Sequence, residues 1–173
     1  MNYQPNMYAS ALAYNRSYMF QVLIPAHEQV AYWEEIEEGV KMAQEACRDF
    51  HIKANIIYYE RFDDESFREA ARKCLDSKPD GVVIVPADLD ITRQFTDRMH
   101  DLGIPFVMLD SYMPDLKPLA FFGQDSFSSG YFAARMLMLI AGNETEIVLL
   151  RITKNGRVLS KQQDNREVGF RHY

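Results

Sequence analysis

The sequence predicts an α/β fold with a parallel sheet that is flanked by helices on both faces. Short apolar segments alternate along the chain with amphipathic segments of roughly 10 to 18 residues, an order typical of βαβ units. The apolar segments are hydrophobic almost throughout rather than at every second residue, which indicates strands buried on both faces.

The first half of the chain predicts two strands and two helices. Residues 19–24 are nearly all apolar and end at Pro25, which suits a buried strand. Residues 33–50 carry apolar side chains three and four positions apart, so they predict a helix with one buried face. Residues 54–59 predict the second strand, and residues 67–75 predict a second amphipathic helix.

The same alternation continues in the middle of the chain. The turn Pro79-Asp80-Gly81 leads into residues 82–85, the most strand-like tetrapeptide of the sequence. Residues 91–102 carry the next apolar stripe, and Gly103 ends this predicted helix. Residues 105–109 then predict a fourth strand.

The last third predicts a further strand, helix and strand before the pattern stops. Residues 120–122 predict a short strand, and residues 127–141 predict a helix with apolar side chains on one side. Residues 146–152 predict a last strand. Residues 154–164 are polar and predict a loop that precedes the start of another helix.

Composition excludes several classes of protein. A chain of 173 residues has room for one domain, or for one domain and part of another. Hydrophobic residues make up 47% and charged residues 25%, so disorder and fibrous repeats are not expected. No apolar run approaches the ~18 residues of a membrane helix, and residues 1–14 contain no secretory signal. We therefore expect a cytoplasmic protein without a membrane partner.

Charge and cysteine content argue against two further kinds of binding site. The formal net charge of −6 argues against binding nucleic acid by charge alone. Cys47 and Cys74 lie inside helical patterns without the spacing of a metal site, so we expect free core thiols and no bound metal.

Polar residues follow the predicted strands and define the candidate site. Parallel strands all end at one edge of a sheet, and ligands bind beyond their carboxyl ends. The residues that follow a strand or open the next helix are His27, Glu28, Tyr32, Trp33, Arg61, Asp63, Asp88, Asp90, Asp110, Ser111 and Asp125.

The aspartates in this set have two interpretations. Asp63, Asp88 and Asp125 lie just ahead of predicted helices, where a carboxylate caps free backbone N–H groups. Asp110 follows a buried strand, and the next clear helix starts more than about ten residues later. Capping therefore explains Asp110 poorly, and a role in ligand binding is favoured.

The other candidate residues also have more than one interpretation. Trp33 is in phase with the apolar stripe, so it either packs in the core or stacks on a ligand, whereas the exposed phase of Tyr32 favours a pocket. A lone histidine such as His27 is more often structural than a ligand or a base. A group of acidic residues in the same helix predicts a solvated face: Glu34, Glu35, Glu37 and Glu38.

Enzyme signatures are absent from the sequence. It contains no nucleophile elbow, phosphate-binding loop, dinucleotide-binding loop or His-Glu-x-x-His motif. A response-regulator receiver would need an acidic pair after its first strand, whereas Asp63-Asp64 follows the second. We therefore expect a protein that is not an enzyme and needs no cofactor.

Several motifs together resemble those of the lac repressor (LacI/GalR) family. They occur in the order of the family over almost the whole chain. They are residues 2–6 with Ala9 and residues 11–12, Tyr32-Trp33 with residues 37–39, and residues 80–86, 103–110, 122–125 and 166–171.

The resemblance implies a type I lobe like that of periplasmic binding proteins. Residues 1–17 would be the hinge that follows a DNA-binding headpiece, residues 18–145 the N-terminal lobe, and residues 146–173 the start of an incomplete C-terminal lobe. We expect the headpiece to be missing before Met1 and the rest of the second lobe after Tyr173.

The resemblance also implies roles for individual residues. Asp110 matches the family's ligand-binding aspartate, and Arg166 would close on the ligand from the second lobe. Asn6, Ala9 and Leu12 would form the hinge helix, with Leu12 inserted into the minor groove of DNA. Alternatively, Leu12 packs on the lobe. The chain departs from the family pattern at two places, Ser111 and His27-Glu28.

The predicted function is therefore that of a transcription regulator that responds to a small molecule. The effector would be a sugar or a related metabolite, and the partners would be operator DNA and a second copy of the chain. A free sugar-binding sensor without DNA binding is the first alternative, and an enzyme is the second. The predicted ligand-binding residues are His27, Tyr32, Trp33, Asp88, Asp110, Ser111, Asp125 and Arg166.

Overall fold

The structure is a computed structural model, and its described residues form two compact units. The first unit lies within residues 1–108 and 113–120, and the second within residues 109–112 and 121–173. The described residues are 17–26, 31–142, 146–151, 153–154, 157–158 and 161–173.

From Tyr18 to Ala141, the elements alternate in the order that the sequence predicts. The strands are β1 (Tyr18–Pro25), β2 (Ile52–Tyr59), β3 (Gly81–Ile84), β4 (Phe106–Leu109), β5 (Phe121–Phe122), β6 (Thr153–Lys154) and β7 (Arg157–Val158). The helices are α1 (Ala31–Ala46), α2 (Asp64–Asp76), α3 (Leu89–Asp101), α4 (Ser126–Ala141) and α5 (Lys161–His172). Short 3₁₀ helices occupy Arg48–Phe50 and Pro114–Leu116.

A five-stranded sheet with the order β2-β1-β3-β4-β5 confirms the predicted fold class. β1 pairs in parallel with β2 and β3, and β3 pairs in parallel with β4. Phe20 stands opposite Ala54 on one side and Gly81 on the other, which fixes the register of the three strands. A side chain at Gly81 would approach the Phe20 ring to 2.8 Å, so a glycine lets these two strands pack.

Apolar side chains of the strands and helices form the core of the first unit. Leu23, Ile84 and Met99 are completely buried. Phe67 of α2 contacts the ring of Tyr59 edge-on at 5.0 Å and that of Phe95 at 6.1 Å, measured between ring centroids. Burial of such aromatic side chains contributes strongly to folding, and the edge-to-face geometry adds to it.

The predicted strand at residues 146–152 is wrong for the part that the structure describes. Residues 146–151 are in no strand, and Val148 and Leu150 are 85% and 88% exposed. An apolar run forms a strand only where a second strand satisfies its backbone groups, and residues 146–151 have no such neighbour among the described elements. The predicted loop at 154–164 instead contains β7 and the start of α5.

Two helices form most of the second unit. A side chain at Gly130 of α4 would collide with the backbone of Arg166, and one at Gly169 of α5 would collide with the backbone of Phe127. α4 and α5 therefore cross with their backbones in close contact, which only residues without a Cβ atom allow. No helix within the described residues is long and apolar enough to span a bilayer.

Candidate functional site

The carboxyl ends of three strands meet at one edge of the first unit, as the parallel topology requires. Pro25 stands opposite Tyr59, and the amide of Ala26 donates to the Tyr59 carbonyl at 2.8 Å. The Tyr59 hydroxyl donates to the carbonyl of Val85 at 2.9 Å, and the amide of Val85 donates to the Leu23 carbonyl. These bonds join the ends of β1 and β2 to Val85, which follows β3, and give the edge a fixed backbone.

Asp88 lies at this edge and caps α3. Its carboxylate accepts a hydrogen bond from the amide of Asp90 at 3.0 Å, and Thr92 accepts one from the amide of Ala87. Asp63 caps α2 in the same way, so the capping interpretation of both residues is confirmed. Since a carboxylate can accept more than one hydrogen bond, the cap does not exclude a ligand.

Tyr32 and Trp33 begin α1 and have different surroundings. Trp33 is 5% exposed and belongs to the core, whereas Tyr32 is 50% exposed. The two rings meet edge-on with centroids 4.9 Å apart. Core packing thus accounts for Trp33, and Tyr32 presents an aromatic surface to solvent.

Five residues with predicted roles lie outside the described residues. They are the hinge residues Asn6, Ala9 and Leu12, together with His27 and Glu28. Their roles stay predictions.

In the second unit, Asp110 has an unusual backbone conformation. Its φ is +66°, in the left-handed region, and its amide donates to the carbonyl of Phe122 at 2.9 Å. Its own carbonyl accepts a hydrogen bond from the side-chain amide of Gln162. Left-handed non-glycine residues are uncommon and concentrate at functional sites, and aspartate is among the residues that tolerate this conformation. Ser111, next in the chain, is buried.

Asp125 caps α4 and is held ionised. Its carboxylate accepts hydrogen bonds from the Ser128 hydroxyl at 2.6 Å and from the Ser128 amide at 3.0 Å. These bonds hold the pKa of Asp125 below its usual value. The capping interpretation is therefore confirmed for this aspartate as well.

Arg166 reaches the end of β5 from α5. Its guanidinium donates to the side-chain oxygen of Gln124 at 3.0 Å. Gln162 and Arg166 are four residues apart, so they share one face of α5. The second unit therefore gathers around this face two predicted residues, Asp110 and Arg166, and two unpredicted ones, Gln124 and Gln162.

Sequence reasoning missed these two glutamines and one aromatic pair. Gln124 follows β5 directly, so its position after a strand could have marked it. Gln162 carried no such signal because residues 154–164 were expected to be a loop. Tyr112 stacks on Phe121 with centroids 4.9 Å apart, and its ring is partly exposed.

Glu37 of α1 contacts two neighbouring side chains. Glu37 accepts a hydrogen bond from the Tyr58 hydroxyl at 2.7 Å and pairs with Lys41. Burial and this hydrogen bond raise the pKa of Tyr58 to about 12. The expectation of a purely solvated acidic face is therefore wrong for Glu37.

The described residues contain no cluster of three or more histidine, cysteine or acidic side chains that could hold a metal. Both cysteines are free, but only Cys74 is buried, and Cys47 is partly exposed. Burial raises the pKa of the Cys74 thiol to about 12, which makes it unreactive at neutral pH.

Comparison with known proteins identifies the family of the domain. Residues 20–173 match the periplasmic binding protein domain family. The sucrose operon repressor of Staphylococcus xylosus is 23% identical over 136 residues, which cover 79% of this chain and 39% of the repressor.

Solved structures share the fold. A candidate LacI transcriptional regulator from Bacteroides fragilis is 44% identical with a TM-score of 0.83, and the match covers 91% of this chain and 55% of that protein. A glucose-galactose binding protein from Geobacillus stearothermophilus is 20% identical with a TM-score of 0.77, over 91% of this chain and 53% of that one. The chain thus spans about half the length of these proteins. It belongs to the periplasmic binding protein domain family and has the LacI-type form of this domain that the sequence motifs predicted.

Proposed function

We infer that the protein is a LacI-type transcription regulator that binds a sugar or a related metabolite and changes its affinity for DNA in response. The observation that supports ligand binding most strongly is the polar cluster of the second unit, which consists of Asp110, Gln124, Gln162 and Arg166. The regulator named in the Bacteroides fragilis structure, at 44% identity, supports the regulatory part.

The chemistry of this cluster suits a polyol. A carboxylate accepts hydrogen bonds from neighbouring hydroxyl groups, a guanidinium donates several to their oxygens, and glutamine amides do both. Such convergent polar groups orient a sugar, while aromatic rings cover its apolar face. We assign the hydrogen-bonding role to Asp110 and Arg166, with Ser111 next to Asp110 and Asp125 next to Gln124 in the sequence.

In the first unit, Tyr32 and Asp88 are the described residues to which we assign effector contacts. Tyr32 offers an exposed ring, and Asp88 offers a carboxylate beyond its capping bond. Trp33 would act by holding the start of α1 rather than by stacking on the sugar, because it is buried. His27 completes the proposed set.

The DNA-binding part of the proposal rests on the first residues of the chain. Asn6, Ala9 and Leu12 would form a hinge that contacts operator DNA, and the protein would act as a homodimer in the cytoplasm. No catalytic activity, cofactor or metal is part of the proposal. The proposal also includes the predicted boundary after residue 145, between the N-terminal lobe and the start of the C-terminal lobe.

A direct test measures sugar and DNA binding by the full-length protein. Isothermal titration with D-glucose, D-galactose, D-arabinose and D-tagatose should identify at least one sugar that binds. Selection from a random double-stranded DNA library should enrich a symmetric site, and that sugar should change the affinity for this site. Sugar binding without any enriched DNA site would instead support the free sugar-binding sensor.

A further inference from the structure

Gln124 is placed to orient the Arg166 guanidinium. It lies between β5 and the capping residue Asp125, and its side-chain oxygen accepts from Arg166 at 3.0 Å. A guanidinium has five N–H donors, so one bond to a glutamine leaves the others for a ligand.

The backbone of Arg166 is fixed by a separate feature. A Cβ atom at Gly130 would collide with the carbonyl group and Cα of Arg166, which are backbone atoms that cannot rotate away. Gly130 lies one helical turn after Ser126, the first residue of α4. The crossing therefore holds Arg166 against the first turn of α4, directly beside Gln124.

Gln162 orients the same helix from its first turn. Its side-chain amide donates to the carbonyl of Asp110, one turn before Arg166 on the same face of α5. The Gln162 bond and the backbone crossing thus fix the helix that carries Arg166, and the Gln124 bond sets the direction of the guanidinium.

We propose that Gln124 is a positioning residue of the effector site, which holds the Arg166 guanidinium in the orientation that binds the effector's hydroxyl groups. This proposal rests on the proposed function, because it assigns the arginine to the sugar. Its role is distinct from capping or core packing, since Gln124 is exposed and makes its contact with the arginine side chain.

The experiment compares variants of the full-length protein by isothermal titration with the sugar panel named above. Gln124→Leu keeps the size of the side chain without its acceptor and should weaken sugar binding about threefold to tenfold. Gln124→Glu keeps an acceptor at the same reach and should bind within about threefold of the original protein. Gln94→Leu, at an exposed position of α3, is the matched control and should change nothing.

The same changes in an Arg166→Ala background show whether Gln124 affects sugar affinity through Arg166. Gln124→Leu should cause no further loss there, because the group that it positions is gone. An equal loss in both backgrounds, or unchanged binding by Gln124→Leu, would overturn the positioning role while leaving the proposed function intact. Failure of every sugar in the panel to bind the original protein would count against the proposed function itself.

Discussion

Each of the two units is stabilised internally by a different kind of contact. The first unit buries the side chains of a sheet and its helices, among them Leu23, Phe67 and Met99. In the second unit, Ala134 is the single buried hydrophobic residue among those described, while Phe132 of the same helix is 60% exposed. Among the described residues, hydrophobic burial thus dominates the first unit, and backbone contact and polar side chains dominate the second.

The stability of each unit therefore depends on a different kind of residue. A unit with a large apolar core tolerates changes at its polar strand ends, because its stability comes from elsewhere. A unit with few buried apolar contacts depends on individual close contacts, and segments of this kind open more readily. We therefore expect the second unit to be the more sensitive to small backbone changes and the less sensitive to the loss of large apolar side chains.

Truncation of a phenylalanine should destabilise the protein far more in the first unit than in the second. Phe67→Ala removes a fully buried ring from the first unit and should lower the free energy of unfolding by about 3–5 kcal/mol. Phe132→Ala removes an exposed ring from α4 and should change it by no more than roughly 0.5 kcal/mol. Urea unfolding followed by circular dichroism measures both, and equal losses would contradict the distinction between the units.

A matched pair of glycines tests the close backbone contact. Gly130→Ala should destabilise the protein by about 1–3 kcal/mol, because the new Cβ atom meets backbone atoms of Arg166. Gly39→Ala in α1 meets nothing within 4 Å and should stabilise the protein by roughly 0.5–1 kcal/mol. If the two variants shift the unfolding midpoint in the same direction, the helix crossing is not as close as described.

Helix capping in the first unit is a local interaction and should contribute independently of the apolar core. Asp63→Ala removes the acceptor for the amides of Glu65 and Ser66 and should cost about 1 kcal/mol of unfolding free energy. Asp63→Asn retains an acceptor and should cost much less. Thermal unfolding of the two variants provides the measurement, and equal losses would show that the carboxylate charge rather than the cap is responsible.

The smallest expected effect is a pH dependence of the unfolding free energy that is caused by Tyr58. Because burial and Glu37 raise the pKa of Tyr58 from 10.0 to about 12, the folded chain keeps a proton that the unfolded chain loses. Its contribution is therefore complete below pH 10 and is lost as the pH rises from 10 to 12. The difference in unfolding free energy between the original protein and Tyr58→Phe should shrink over this range, and a constant difference would contradict the assigned pKa.

The parts of the fold that the hydrophobic effect builds were predictable from the sequence. The stripes on α2 and α3 and the apolar strands β1 and β3 follow from spacing, because burial imposes the period. The strand at residues 146–152 was predicted by the same logic and is wrong for residues 146–151, since pairing depends on a neighbour that spacing does not reveal. The caps at Asp63, Asp88 and Asp125 were predictable because they are local.

The candidate site was predictable only where it follows a strand or matches the family motifs. Asp110 satisfied both conditions, and Arg166 was identified through the motif alone. Gln162 could not be found, because its contact with Asp110 joins residues 52 positions apart and leaves no periodic signal. The glycine crossing of α4 and α5 likewise depends on two helices meeting, which neither helix encodes by itself.

We propose that the polar cluster of the second unit binds a sugar-like effector through Asp110. The most direct measurement is isothermal titration of the full-length protein and its Asp110→Asn variant with a sugar that binds the original protein. Asparagine tolerates the left-handed backbone at this position and keeps the shape of the side chain, but it is neutral and carries an amide donor in place of one acceptor oxygen. We expect at least about tenfold weaker binding, since a charge-assisted hydrogen bond contributes roughly 1.5–3 kcal/mol, with an unchanged unfolding temperature. Unaltered affinity in the variant would show that Asp110 is structural and that the effector binds elsewhere.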